Sequence, residues 1–382
     1  MSIPSHQSGR RPEKIHALTS LRFFAALFVV IYHTIWTTPP AINSAKVIDR
    51  IGSLGFLSVG FFFLLSGYIL AMVYLSPGNQ VSNGSFFAAR FARIYPLYLL
   101  TLIVDTPWFI LQVVKEHGHG HISTGRRVAE VLATNLFMLQ AWFPSLRGID
   151  NPNWSLSVEA VFYLLFPFIG VWLWRLRDRA IWITAVGLWI SSQIVIYLIT
   201  PHLGDNVRRF NPVLHLCTFA LGILLARWQV TERERHGQSP KHTVSVAISL
   251  LLALSGYVAL IHWLPKIRIG NVHDGLMAPV FMCIIWAFSA NERWPARLLS
   301  VRWLVILGEA SYGLYLIHIP VFHLFQSSGL QSIAMLYPLY VCLCVGLSVL
   351  SFYWIETPSR KWILHKLHTR PKETMEMASD AQ

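Results

Sequence analysis

Charge is scarce in this 382-residue chain: Asp, Glu, Lys and Arg make up 13% of it, against 54% for the hydrophobic types. A soluble domain of this length needs far more polar side chains on its surface and breaks its apolar stretches at roughly every third helical position. Here the apolar residues form long unbroken runs and mean hydropathy is +0.50, which excludes a soluble fold in favour of several membrane spans. Cysteine is scarce too. Cys217, Cys283, Cys342 and Cys344 lie inside apolar runs without a CxxC pair, so neither a disulfide framework nor a zinc site is expected. GxSxG, a phosphate-binding loop and a dinucleotide fingerprint are all missing, and serine hydrolysis, nucleotide hydrolysis and hydride transfer lose their local support. Acids are the rarer sign of charge, 18 against 31 Lys and Arg. In a soluble protein that excess would point to nucleic acid. In a membrane protein it collects in cytoplasmic loops and fixes topology, so no nucleic-acid partner is expected.

What is present is a series of ten apolar stretches, at about 18–36, 54–74, 94–114, 158–174, 180–199, 213–228, 243–264, 275–289, 303–325 and 333–355. Most approach the roughly 20 residues needed to cross about 30 Å of hydrocarbon. Arg10, Arg11 and Lys14 precede the first, and the small-residue stretch AINSA follows it. The run is too long for a cleaved signal and carries Arg22, so it is read as a retained helix. An eleventh stretch, 128–142, holds Glu130, Thr134, Asn135 and Gln140 and decides the topology. Without it, 21 of the 31 Lys and Arg fall on the N-terminal side of the membrane; with it, 11 do. The positive-inside rule selects the first arrangement. The expectation is an all-α polytopic membrane bundle of about ten transmembrane helices, both termini cytoplasmic, with 128–142 at the outer interface or re-entrant and packed in protein. Residues 1–13 then form a basic cytoplasmic tail, 14–362 one integral membrane domain, and 363–382 a polar cytoplasmic tail. The loop HGHGH at 117–121 has glycine spacers that leave its histidines loosely placed and no cysteine nearby, and it is read as a flexible external loop rather than a metal site.

Ionisable groups inside apolar spans are costly and by default mark function. In LRFFAALFVVIYH, Arg22 and His33 are eleven residues apart, about three whole turns, so they share one face about 16 Å apart along the axis. A lone arginine there reads as a snorkelling anchor, and a lone histidine as a packing residue. Their common face favours a site, with His33 near the midplane. Arg90 and Arg93 in SFFAARFARIYPLYLL are three apart on one face. With Arg22 they form a cluster suited to phosphates, although as ordinary positive-inside residues they need no such role. Glu159 in NPNWSLSVEAVFYLLFPF is placed in the first turn of its helix, tolerated by the dipole. It reads as a structural carboxylate or as a proton acceptor or orienter for a histidine at the outer third of the membrane, with Tyr163 on the same face. In GEASYGLYLIHIPVF, Ser311, Tyr315 and His318 share a face through i+4 and i+3 steps, with His318 past the midplane; small and polar residues of this kind also pack helices.

These same stretches strongly resemble the acyltransferase 3 family of integral membrane acyltransferases. Five blocks match in order, LTSLRFFAALFVVIYH, SVGFFFLLSGYIL, ARFARIYPLYLL, NWSLSVEAVFYLLFP and GEASYGLYLIHIPV, with a weaker IETPSRKW at the end. The resemblance implies transfer of an acyl group, usually acetyl, from cytoplasmic acyl-CoA to a hydroxyl of a glycan, lipid-linked sugar or macrolide. It carries the family's first-helix arginine and histidine onto Arg22 and His33, its paired arginines onto Arg90 and Arg93, and its glutamate onto Glu159. Two departures stand out. Gly60 occupies a place where many members have an acid, and the usual Glu-Arg-Pro reads Glu356-Thr357-Pro358, which leaves Glu356 and Arg360 unassigned.

The combined expectation is a multi-pass protein of the plasma membrane, the inner membrane of a bacterium. Arg22, Arg90 and Arg93 bind acyl-CoA (acetyl-CoA) as a co-substrate, with no permanently bound cofactor and no metal. His33, Glu159 and His318 serve catalysis, His33 as general base or as an acyl-histidine relay. Trp154, Tyr163, Ser311 and Tyr315 serve substrate or oxyanion. The lipid bilayer, the acyl-CoA donor and the glycan, lipid-linked sugar or macrolide acceptor are the partners; oligomeric state is left open by these residues. The rivals are a proton-coupled transporter or flippase using the histidines as a relay, and a non-catalytic scaffold. The shared face is itself testable. One residue inserted between Arg22 and His33 turns them about 100° apart, and we expect membrane insertion to persist while activity in an acyl-transfer assay is lost; full activity sinks the shared-face reading.

Overall fold

The computed structural model describes residues 15–34, 55, 57–77, 82–117, 122–149, 151–236, 248–249, 251–256, 259, 275–289, 296–330 and 336–368. All regular structure among them is helical. We number the principal helices α1 His16–Thr34, α2 Leu57–Tyr74, α3 Asn83–His117, α4 Ile122–Leu136, α5 Trp154–Trp174, α6 Asp178–Phe210, α7 Pro212–His236, α8 Ala278–Ser289, α9 Arg302–Glu309, α10 Ser311–Ser327, α11 Tyr337–Ser351 and α12 Thr357–His368. A π-turn, Phe352–Glu356, joins α11 to α12.

Seven of the described helices are long and apolar enough to cross a membrane, and α9 with α10, bent by 57° between them, makes an eighth when counted as one broken span. Ten were expected. The stretch 275–289 folds as the twelve-residue α8, about 18 Å long and so too short to cross alone. Most of 243–264 lies outside the described residues, as do AINSA, residues 118–121 of the HGHGH loop and both chain ends. The expected single helix over 303–325 is interrupted at Ala310, and α6 carries a kink at Gly204, φ 70°, three residues after Pro201. The domain boundary placed at 362 falls inside α12, which continues to His368.

Packing distinguishes the inner helices from the lipid-facing ones. α2 and α7 make the most extensive helix pair, and they approach so closely that a Cβ at Gly67 would overlap the Phe219 carbonyl and one at Gly222 the Leu64 carbonyl. Small residues allow this approach in membranes, where lipid supplies no hydrophobic drive between helices. Phe162 of α5 stacks on Phe219 of α7 at 4.6 Å. The Tyr68 hydroxyl donates to Gln229 Oε1, which also accepts from Ser289 Oγ at 3.1 Å. By contrast α6 turns Trp182, Ile183, Val186, Ile190 and Ile194 outward, Ile183 with 75% of its surface exposed, and the π-turn exposes 75% of Trp354. Apolar surface this extensive belongs against lipid, and the protein is a multi-pass membrane protein.

The ambiguous stretch 128–142 is the end of α4, fifteen residues long, followed by turns. At about 22 Å α4 is short for a crossing, and its polar groups are tied into the bundle. Tyr98 OH donates to Asn135 O at 2.6 Å, Gln140 Nε2 to Asn153 O at 2.9 Å, and Ser157 Oγ to Met138 O at 2.5 Å. The segment thus packs on the middle of α3 and the start of α5.

The α2–α7 contact yields a stability test. Gly222→Ala forces the two backbones apart, at a cost of about 1–3 kcal/mol for an overpacked contact. We expect a clear drop in thermal unfolding temperature in detergent, while Gly187→Ala, whose Cβ would meet open space, leaves it unchanged.

Candidate active site

Five helices turn polar side chains into one cavity of about 850 Å3 of empty space, including its mouth. α1 supplies Arg22, α3 supplies Arg90 and Arg93, α5 supplies Glu159 and Tyr163, and α10 supplies Ser311, Tyr312 and Tyr315; α2 adds Ser66 amid apolar side chains. Each of these stands on a helix rather than a loop, so its position is set by the bundle.

The arginines are held by aromatic faces as much as by acids. Arg90 Nη2 donates to Tyr74 OH at 3.1 Å, and its guanidinium lies 5.5 Å from the Tyr74 ring centre and 5.8 Å from that of Tyr163. Such contacts contribute about 0.5–2 kcal/mol each, more when water is excluded. Arg93 Nη1 is 3.9 Å from Glu356 Oε2, and its guanidinium is 5.8 Å from the Tyr312 ring. The Tyr312 hydroxyl donates to Ile94 O at 2.7 Å, tying α10 to α3. Glu159 Oε1 accepts from Tyr163 OH at 2.5 Å and from Ser66 Oγ at 3.1 Å.

The site departs from the expected order of depth. Glu159 was set at the outer third, away from the arginines and near a histidine; it shares their cavity and its bonds go to Ser66 and Tyr163. The cause is local. A 3-10 turn, Asn151–Asn153, precedes α5, which starts at Trp154, so Glu159 sits in the second turn rather than the first and reaches deeper into the bundle. Tyr163 stands one turn further on, bonded to Glu159 as the i+4 spacing implied.

The two histidines meet. His318 Nε2 lies 3.2 Å from His33 Nδ1, the rings 5.3 Å apart and inclined by 27°. His318 is fully buried, its Nδ1 is 2.8 Å from Tyr315 O, and its own carbonyl accepts from Tyr340 OH at 2.8 Å. Neither histidine lines the arginine cavity. The boundary between the two is made by Tyr315 and Phe62, which line the cavity and whose rings pack edge to face at 6.4 Å; the Tyr315 ring also packs on His318 at 6.2 Å.

Three of the expected oxyanion donors are already engaged. Ser311 Oγ donates to Gly308 O at 2.7 Å. The Tyr315 hydroxyl donates to Pro152 O at 2.7 Å and lies 2.6 Å from Ser155 Oγ. Trp154 is absent from the cavity lining and packs on Phe63, Phe210 and His215. Beside it, the Arg147 guanidinium lies 3.5 Å from the Phe210 ring centre; burial, and then Arg209, bring its pKa down to about 10. Sequence reasoning missed Ser66 and Tyr312, and gave Glu356 no role. Ser66 is a lone hydroxyl inside the apolar run FFFLLSGYIL, which was the available signal.

A model of an acyltransferase domain matches residues 15–356. The chain is 30% identical over 329 residues to the acyltransferase MdmB of Streptomyces mycarofaciens, covering 81% of this chain and 80% of that protein. It is 26% identical over 404 residues to the O-acetyltransferase OatA of Staphylococcus aureus strain MRSA252, covering 96% of this chain and 60% of that protein. The chain thus matches somewhat over half of OatA's length. No solved structure matches.

Proposed function

The chain belongs to the acyltransferase 3 family and is a membrane O-acyltransferase; from that premise we propose that it moves an acyl group, acetyl in the first instance, from acyl-CoA to a hydroxyl of a carbohydrate or glycoconjugate. The observation that carries the donor is the convergence of Arg22, Arg90 and Arg93 on one cavity. Forked guanidinium donors match phosphate oxygens, and among the described residues the Nε of Arg90 has no hydrogen-bond partner. Acyl-CoA enters with its phosphates on the arginines. Its pantetheine arm extends along the apolar wall of Phe62, Leu65 and Ile69 towards Tyr315 and the histidine pair. The acyl group is taken as acetyl because relatives of this chain are named O-acetyltransferases.

At the far end His33 accepts the proton of the acceptor hydroxyl while the oxygen attacks the thioester carbon. The C–S bond then breaks, and the proton passes from His33 to the departing thiolate, giving an ester and free CoA with the base restored. Glu159 shares the cavity with Arg22 and Arg90 and offers them a counter-charge. The plasma membrane is the compartment that this reading requires, with the donor cavity open to the cytoplasm and the acceptor arriving from the opposite side.

The deciding experiment supplies purified protein in liposomes with radiolabelled acetyl-CoA and candidate glycans, lipid-linked sugars or macrolides. Label on an acceptor hydroxyl supports the reading; CoA that neither binds nor is consumed overturns the choice of donor. In the same assay His33→Ala should lose transfer while still inserting and accumulating, and retained transfer refutes its role as base. Arg90→Ala and Arg93→Ala should each weaken CoA binding about 10- to 100-fold, the worth of a charge-assisted hydrogen bond of about 1.5–3 kcal/mol. Unchanged affinity by titration calorimetry returns both arginines to the status of topology anchors.

A further inference from the structure

We propose that His318 is a positioning residue that fixes the tautomer of His33, so that Nε2 of His33 is the nitrogen that takes the acceptor's proton. The proposal rests on the reading of His33 as base and adds which atom acts and what holds it. A general-base histidine ordinarily has its second nitrogen engaged by a carboxylate or a backbone carbonyl. Here Nδ1 of His33 faces another imidazole at 3.2 Å, and the Val29 carbonyl one turn earlier also engages the ring.

The direction of each hydrogen bond follows from the chain of contacts. Tyr315 O, 2.8 Å from His318 Nδ1, is a carbonyl oxygen and can only accept, so the proton of this contact is on His318 Nδ1. A neutral His318 then has a bare Nε2. That nitrogen faces Nδ1 of His33 at 3.2 Å, so His33 Nδ1 must be the donor and His33 Nε2 carries the free lone pair. The opposite direction would need protons on both nitrogens of His318. That is an imidazolium in a fully buried position, and among the described residues no carboxylate pairs with either ring to offset it. An unpaired buried charge is far more costly than a neutral pair. His318 itself is clamped, since Tyr340 OH binds its carbonyl at 2.8 Å and the Tyr315 ring packs on its edge.

During transfer the hydroxyl proton goes to His33 Nε2 as the oxygen's electron pair forms the bond to the thioester carbon. His33 becomes an imidazolium whose Nδ1–H stays bonded to His318 Nε2. When the C–S bond breaks, the thiolate takes the proton back from Nε2. His318 gains and loses no proton. Other titratable groups around the pair are Tyr32 of α1, 5.1 Å from His33 between ring centres, Tyr315 and His323 of α10, and Tyr340 of α11. His323 is itself bound to Asp105 at 2.5 Å and stacked on Trp108 at 4.7 Å.

The test uses the full chain in liposomes, with kcat and KM for acetyl-CoA followed across a pH series and CoA binding measured separately. In His318→Gln the amide oxygen reaches the place of Nε2 and can accept from His33 Nδ1. In His318→Leu only the Val29 carbonyl, which also engages the His33 ring, is left to accept, and in His318→Asn the amide falls short. We expect the Leu variant to lose about 100-fold in kcat with KM and CoA binding unchanged, and the Gln variant to recover about tenfold of that. The acid limb of the kcat profile should move to lower pH in the Leu variant, because the imidazolium of His33 loses His318 as acceptor. Should the Leu variant fail to accumulate, the Gln to Asn ratio carries the same comparison. Wild-type kcat in the Leu variant, or equal losses in Gln and Asn, overturns the proposal. An active His33→Ala removes base and dyad together, whereas an inactive His33→Ala beside a fully active His318→Leu removes the dyad alone.

Discussion

A guanidinium taken out of water into an apolar bundle must find its compensation in the protein, and three of them converge on one cavity here. Arg22, Arg90 and Arg93 would repel one another and forfeit their hydration unless the surrounding helices supplied donors' partners, rings and counter-charge. α5 supplies Glu159 and the face of Tyr163, α2 the hydroxyl and face of Tyr74, and α10 the face of Tyr312. The far side of Arg93 meets Glu356, 5% exposed, at the end of the π-turn. Every element around the cavity is thereby committed to one orientation. The close α2–α7 contact stands behind α2 and keeps Ser66 turned towards Glu159, because a helix that approaches backbone to backbone cannot rotate without collision.

How much of this was legible depended on whether the information was local. Helical phase put Arg22 with His33, Arg90 with Arg93, Glu159 with Tyr163, and Ser311 with Tyr315 and His318; in the folded protein Arg90 with Arg93, Glu159 with Tyr163 and Ser311 with Tyr315 line one cavity, while His33 and His318 meet each other beyond it. Phase says nothing of which helix stands opposite. The contact between His33 and His318 joins residues 285 apart, and that between Ser66 and Glu159 residues 93 apart; both depend on packing that no single stretch encodes. Depth failed for a related reason. Glu159 was placed by counting from an assumed span start at 158, and α5 begins earlier, at Trp154. Span number was read from hydropathy averaged over each run, which registers neither the break at Ala310 nor the shortness of α8.

The site separates two requirements that conflict in one environment. Phosphate binding needs fixed positive charge, while a histidine base must itself become positive as it takes the proton, which guanidiniums beside it would oppose. The protein keeps the arginines in the cavity and the histidines beyond it, with Phe62 and Tyr315 between them. The Tyr315 ring belongs to both sides, lining the cavity while packing on His318.

That arrangement makes α10 the element that couples anchor to base. Its first turn presents Ser311, Tyr312 and Tyr315 to the cavity, and one turn later His318 meets His33 on α1. The 57° bend at Ala310 frees α10 from the axis of α9, so α9 can follow α1 near Arg22 while α10 leans across to α3. There Tyr312 bonds to the Ile94 carbonyl beside Arg93. A straight helix over the same residues would have to give up one of those two contacts. The break that hydropathy hid is therefore the feature that lets one rigid helix reach both the arginine cavity and the histidine pair.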